Sequence, residues 1–361
     1  MRVTDDVPLD WDAVWSPDGT HLYFASDRGG SMNVWKVAID EESGRVLGAP
    51  EPLTTPSRWS GHLALSADGK KLVFGARDDR SNIEKLDIDF ERAMVAGTPA
   101  PVTSGTMPIT QPRVSPDGSW IVFRTRGQQE DLFVIRPDGT DLRQLTNDAF
   151  KDRGPAWSPD GRRIVFYSNR SGRYEVWTVQ QDGSNLQQVT VTTGRSQWFP
   201  RFSPDARWIA VRNESGTSLV DLTGPLPAHE MQSLPPLGHG SIVFAGSEWS
   251  SDGRALLGTR SSVPTFESDA IVVYRLDSGT YEVVLEMPRI SVEGPVWLGD
   301  GRRILYTADG KLYEVDLADR KPVEIRGMPQ DVEIVGVSVH ARTLYYVRQT
   351  READLWLAKM E

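Results

Sequence analysis

Apolar and polar residues come in short bursts along this chain, and no stretch sustains the 3.6-residue period of an amphipathic helix. Residues 155–192 show the unit. "PAWS" is a short strand and "SPDG" its turn, in which Pro presets φ, Asp suits the third place and Gly accepts the left-handed conformation. "RRIVFYS" follows as a second strand, whose unbroken apolar middle requires cover on both faces. "NRSGR" is a polar turn, "YEVWTVQ" a third strand, "QDGSN" a second Asp-Gly turn, and "LQQVTV" a fourth strand. The pattern predicts an all-β protein.

The phrase returns, intact or worn, at Ser16, Ser66, Ser115, Ser158, Ser203, Ser250, Leu298 and Ser338. A period near 45 residues is that of four-stranded propeller blades. The expectation is one domain over 1–361, an eight-bladed β-propeller with antiparallel blades at 7–55, 56–106, 107–148, 149–192, 193–238, 239–288, 289–328 and 329–361. The last unit stops one strand short, and "RVTDD" near the start resembles the fourth-strand endings, so residues 1–6 are expected to complete that blade and close the ring. Two turns carry Ala206 and Ala341 where Gly is expected. Because a Cβ disfavours positive φ, another turn type is predicted there.

Composition narrows the function classes. The 361 residues include no Cys, which excludes disulfides, thiol catalysis and thiolate metal sites. Forty basic against fifty acidic residues, net −10, argues against a nucleic-acid surface. No apolar run approaches the roughly 18 residues that would suggest membrane insertion. The opening "MRVTDDVPLD" has no signal-peptide core, so the compartment stays open.

The full phrase "GPAWSPDGRRIVFYSNRSGRYEVWTVQQDGSNLQQVT" resembles the repeat of TolB-like β-propellers, distant relatives of WD-repeat proteins. The resemblance runs along essentially the whole chain. It implies a bacterial, periplasmic or cell-surface interaction scaffold, monomeric and without a cofactor. The implied partner is a protein or an extracellular peptide or glycan at the channel mouth. TolB itself has six blades behind an α/β domain, so eight units count against a Tol–Pal role. Similar repeats form propeller halves of kinases, regulators and prolyl oligopeptidases, and a polysaccharide lyase or hydrolase is the enzymatic alternative. The Gly-x-Ser-x-Gly elbow of a hydrolase is absent from the sequence.

Most of the 12 Trp recur at equivalent places and read as packing between blades. Positions that break the repeat are the better site candidates. The place four residues before the end of strand one holds Trp11, Gly61, Thr110, Arg153, Trp198, Ala245, Glu293 and Glu333. Trp11 and Trp198, with Trp59 leaning in, make an aromatic mouth or a plug of the axis, and Glu293 with Glu333 either a carboxylate pair or two carboxylates that are solvated or paired with nearby Arg. Arg28, Arg77, Arg126, Arg170, Arg212, Arg260 and Arg348 end strand two and form either a positive collar or a set of local ion pairs. The five His form no metal-binding pattern, and neither catalytic nor metal residues are assigned.

Overall fold

A computed structural model describes residues 3–4, 8–28, 32–54, 59–127, 129–265, 267–290, 294–329 and 333–360, with backbone alone at 59, 77–79, 288–290, 333–335 and 351–352. The described residues form strands and turns without an α-helix, and so no helix long and apolar enough to cross a membrane.

The repeated phrase builds a hydrogen-bonded turn. In the fourth unit Ser158 Oγ donates to Asp160 Oδ1 (2.5 Å) and accepts from the Arg163 amide (2.9 Å). Gly161, at φ 68°, donates its amide to the Ser158 carbonyl. The fifth unit keeps this turn without its glycine. Ala206 takes φ 55°, donates to the Ser203 carbonyl, and Ser203 Oγ still bonds Asp205. The expected change of turn type does not occur there, because the Ser-Asp bonds over-determine the loop. At Ala341 the ladder tightens to a His340–Thr343 pair around a two-residue turn, yet Ala341 still takes φ 55°, so escape from the left-handed region is not the reason.

The chain divides into two compact units, residues 81–349 and residues 1–80 with 350–361. In the larger unit the third to seventh repeats each make an antiparallel four-stranded sheet in chain order. The fourth, for instance, runs Asp152–Trp157, Arg163–Ser168, Glu175–Gln180 and Gln187–Gln188. A sixth sheet is composite. Glu333–His340 pairs with the first part of Thr343–Lys359, which neighbours the last part of Lys71–Asp89, and that pairs with Ala100–Pro101.

This composite departs from the expected blades 56–106 and 329–361 plus 1–6. The strands of the eighth repeat are completed by residues of the second, while residues 1–2 and 5–6 lie outside the described residues. The cause is local. Other repeats break between strands two and three at Gly or Pro, as in "NRSGR" and "SSVPTF", whereas "RDDR" (77–80) and "TREA" (350–353) contain neither. Lys71–Asp89 and Thr343–Lys359 therefore continue as single strands of 19 and 17 residues.

Apolar clusters join each sheet of the larger unit to its neighbours. Leu132 and Phe166 join the third repeat to the fourth, Val176 and Ile209 the fourth to the fifth, and Leu219 and Leu256 the fifth to the sixth. Leu257 and Ile304 join the sixth to the seventh, Leu305 and Tyr346 the seventh to the composite sheet, and Val347 and Phe123 that sheet to the third. Each fully buried side chain of this kind contributes about 1.5–3 kcal/mol. The "RRIVFYS" strand is covered on both faces as its apolar run requires, with Ile164 and Phe166 in one cluster and Val165 in the next.

In the smaller unit the first repeat forms its own four-stranded sheet, and Trp59–Leu65 pairs with residues 72–77. Tyr23, Val34, Leu63, Leu72 and Phe74 make its core, with Ala358 and Met360 against them.

Candidate functional site

The first strands of the third, fourth and fifth repeats each carry a bulge, where one residue turns left-handed: Gln111 (φ 55°), Gly154 (61°) and Phe199 (49°). Gly154 is obligatory, because a Cβ there would stand 2.6 Å from the Tyr167 ring. The bulge re-aims the residues that follow. In the larger unit they line a cavity of about 430 Å³ to which five of the six sheets contribute, Gly336 among them from the composite sheet, with Gly294 from the segment before the seventh repeat's first strand.

A charged group lies in its wall. Glu248 Oε1 accepts from Arg113 Nη2 and from Arg201 Nε, each at 2.9 Å. Arg201 also donates to the Pro200 carbonyl and Arg113 to that of Val337. Burial alone would raise the Glu248 carboxyl, but Arg113 and Arg201 outweigh it and hold it at about 2. A third guanidinium, Arg212, lines the same cavity and makes no ion pair with a described residue. It lies 5.2 Å from the centroid of the Phe199 ring, and its Nε is buried without an acceptor. Burial, reinforced by the like charge of Arg201, pushes it down to about 10.

The remaining wall is aromatic and hydroxylic. Tyr167 packs edge-on against Phe199 with ring centroids 5.4 Å apart, and Trp198 stands beside them. Thr259, Ser261 and Ser268 of the sixth repeat hydrogen-bond around a closed triangle of 2.9–3.1 Å. Among the described residues no group of three or more His, Asp or Glu is placed to hold a metal ion.

Of the candidates read from sequence, Trp198, Arg212 and Ala245 line this cavity. Arg153 instead forks onto Glu130, Nε and Nη2 each at 2.5 Å, with Arg124 on the same carboxylate. Trp11, in the smaller unit, is 44% exposed and donates its indole N–H to Met32 Sδ. Glu293 lies outside the described residues, as do the side chains of Trp59 and Glu333. By register Ile334, not Glu333, takes the rim place in the eighth repeat, because it pairs with Arg348 as Trp198 pairs with Arg212.

The arginine collar resolves into several ladder positions. Arg28 and Arg170 are equivalent, and each sets one Nη2 between the two oxygens of Asp10 and Asp152 respectively. Arg212 stands three residues earlier in the repeat, and Arg260 forms ion pairs with Asp269 and Glu286. Arg348 meets Glu84, Arg126 donates to the Thr110 hydroxyl, and the Arg77 side chain is outside the described residues.

Some of the repeated Trp pack between sheets, whereas Trp15 and Trp356 are 47% and 50% exposed. Trp157 donates to the Arg113 carbonyl and Trp249 to that of Arg201, each in the preceding repeat. Sequence reasoning missed Arg113, Arg201 and Glu248. The signal was present, since two places before the turn serine they replace the small Ala64 and Ala156 with charge.

Repeated four-stranded antiparallel sheets around such a cavity place the protein in the class of β-propellers. Within that class part of the chain resembles TolB: the family described as TolB beta propeller domain matches residues 92–225. The Tol-Pal system protein TolB 1 of Novosphingobium aromaticivorans is 39% identical over 71 residues, 19% of this chain and 16% of that protein. An uncharacterized protein of Agrobacterium fabrum is 36% identical over 74 residues, 20% of this chain and 25% of its own. The chain thus spans a quarter or less of these relatives. In fold it is similar to crystalline TolB from Acinetobacter baumannii, with TM-score 0.51 and 13% identity over 90% of this chain and 79% of the other.

Proposed function

We propose that this protein is a non-enzymatic TolB-like binding propeller, which holds a partner protein or an extracellular peptide or glycan at the mouth of the 430 Å³ cavity. The observation that carries the reading is the cavity itself. Its walls come from strands locked by apolar cores on either side, which preorganises the aromatic and cationic groups they present. The run of interfaces from the third repeat round to the composite sheet and back supports six blades within 81–349, in place of the eight counted from the repeats. A monomer in an extracytoplasmic compartment belongs to the same reading, on the likeness to Tol-Pal system proteins. Glu248, fully ionised at neutral pH and committed to two arginines, cannot serve as a general acid, which favours binding over glycan cleavage.

The test is a screen of peptides and oligosaccharides by tryptophan emission, repeated with Trp198→Ala and with Trp356→Ala in the smaller unit. Ligands should lose about tenfold or more in affinity with Trp198→Ala, the scale of an aromatic anchor, and keep it with Trp356→Ala. Equal binding by wild type and Trp198→Ala sinks the proposal.

A further inference from the structure

Resting on the proposed binding role of the cavity, the geometry points to its ligand class: a small organic acid, whose carboxylate forks onto Arg212 and whose flat ring lies beside Trp198 and Phe199.

Three guanidiniums and one carboxylate line the cavity. Glu248 gives the same oxygen to Arg113 and Arg201, and both of these also bond backbone carbonyls. Arg212 is different in kind. It lacks an ion pair among the described residues, its Nε is shut away from water without an acceptor, and one wall against it is the Phe199 ring. A half-buried guanidinium without an ion pair is costly, and a carboxylate is the group whose two oxygens match its fork.

The approach to that fork is kept open by Gly294. A Cβ built there would stand 3.2 Å from Arg212 Nη2, so a larger residue would crowd the group. The rest of the wall defines what is attached to the carboxylate. Trp198, Phe199 and Tyr167 offer ring faces and edges to a flat apolar body. In the triangle of Thr259, Ser261 and Ser268 each hydroxyl can donate to the next, which leaves lone pairs for a donor on the ligand. A cavity of 430 Å³ suits a small molecule.

The probes are benzoate, its neutral isostere benzamide, and acetate, titrated into the full chain by calorimetry and tryptophan emission. Benzoate should bind one to one, and benzamide and acetate at least about tenfold more weakly, the scale of one charge-assisted fork or one stacked ring. Arg212→Gln should lose about tenfold or more in benzoate affinity, while Arg212→Lys keeps part of it. Melting curves of both variants confirm that the fold persists.

Benzoate binding that is unchanged in Arg212→Gln, or matched by benzamide, overturns the carboxylate assignment. If Trp198→Ala abolishes binding in that case, the cavity remains the binding site and the ligand class alone falls. Absence of benzoate binding at 10-millimolar order also overturns it, whereas the wider reading falls only if Trp198→Ala leaves every screened ligand unaffected.

Discussion

The third and fifth repeats set the same residue type at the same ladder position and use it in opposite ways. Arg124 pairs in register with Thr110, and Arg212 with Trp198. Arg124 donates to Glu130 at 2.7 Å and to Gln111 at 2.8 Å, so its charge is absorbed by the fold. Arg212 bonds no carboxylate among the described residues, and Glu248 acts on it only at longer range. The difference lies in the hairpin that follows each strand. In the third repeat six positions separate Ile121–Thr125 from Leu132–Ile135, and Glu130 among them returns to Arg124 with its side chain 6% exposed. In the fifth repeat Asn213 pairs directly with Gly216, and the tight turn between them points Glu214 into solvent. The repeat decides where a guanidinium stands, and hairpin length decides whether it is neutralised or left for a ligand.

The largest effect expected is at the carboxylate that balances the cavity. Glu248→Gln leaves Arg113, Arg201 and Arg212 facing one another, and should cost about 3–5 kcal/mol in urea unfolding. The pH dependence has a defined sign. Glu248 titrates at about 2 in the folded chain, below the ordinary 4.5. Its contribution is therefore complete above about 4.5 and is lost as pH falls from there toward 2, by about 3 kcal/mol. Glu248→Gln should remove that share of the acid slope. A variant that unfolds along the wild-type acid curve would show that the carboxylate carries no net charge stabilisation.

The direct comparison is smaller. Arg124→Met strips a cation from Glu130, which keeps Arg153 and Lys151, and should cost about 2 kcal/mol. Arg212→Met removes a desolvated charge without breaking an ion pair, and should be neutral or stabilising by up to about 1 kcal/mol. Equal losses for the two variants break the contrast on which the carboxylate site rests.

Much of this was legible in the sequence, and the failures have physical causes. Strand, turn and apolar run in 155–168 match the observed strands Asp152–Trp157 and Arg163–Ser168, because turn chemistry and burial are local. The strands of the second and eighth repeats do not form two separate sheets as the repeat spacing suggested. Strand continuity through "RDDR" and "TREA" depends on the absence of Gly and Pro, a weaker sign than their presence. At the site, Trp198 was found by looking for breaks in the repeat. Arg113, Arg201 and Glu248 escaped because the bulge makes the ladder advance three residues on one strand against two on the other, from Trp198 to Arg201 against Arg212 to Ala210. The lining place therefore sits nearer the turn than an unbulged strand would put it. That Glu248 reaches two arginines from other repeats is a tertiary fact, and no spacing within one repeat encodes it.

A last contrast, which ends on the smallest effect, separates the same two repeats at their turns. Gly118 in the third has φ 73°, and a Cβ there would stand 2.6 Å from His340 Nε2. Ala206 in the fifth holds φ 55° with its Cβ already accommodated. Gly118→Ala meets both the left-handed penalty and the imidazole, and should cost about 2 kcal/mol. Ala206→Gly relieves the same penalty of about 1 kcal/mol but loosens the unfolded chain, for a net gain of about 0.5 kcal/mol. Urea midpoints with unchanged slope would read both. A loss on Ala206→Gly would mean that the Ser203–Asp205 bonds have already made the left-handed alanine free of strain, so that glycine at these turns serves clearance from the neighbouring sheet rather than backbone freedom.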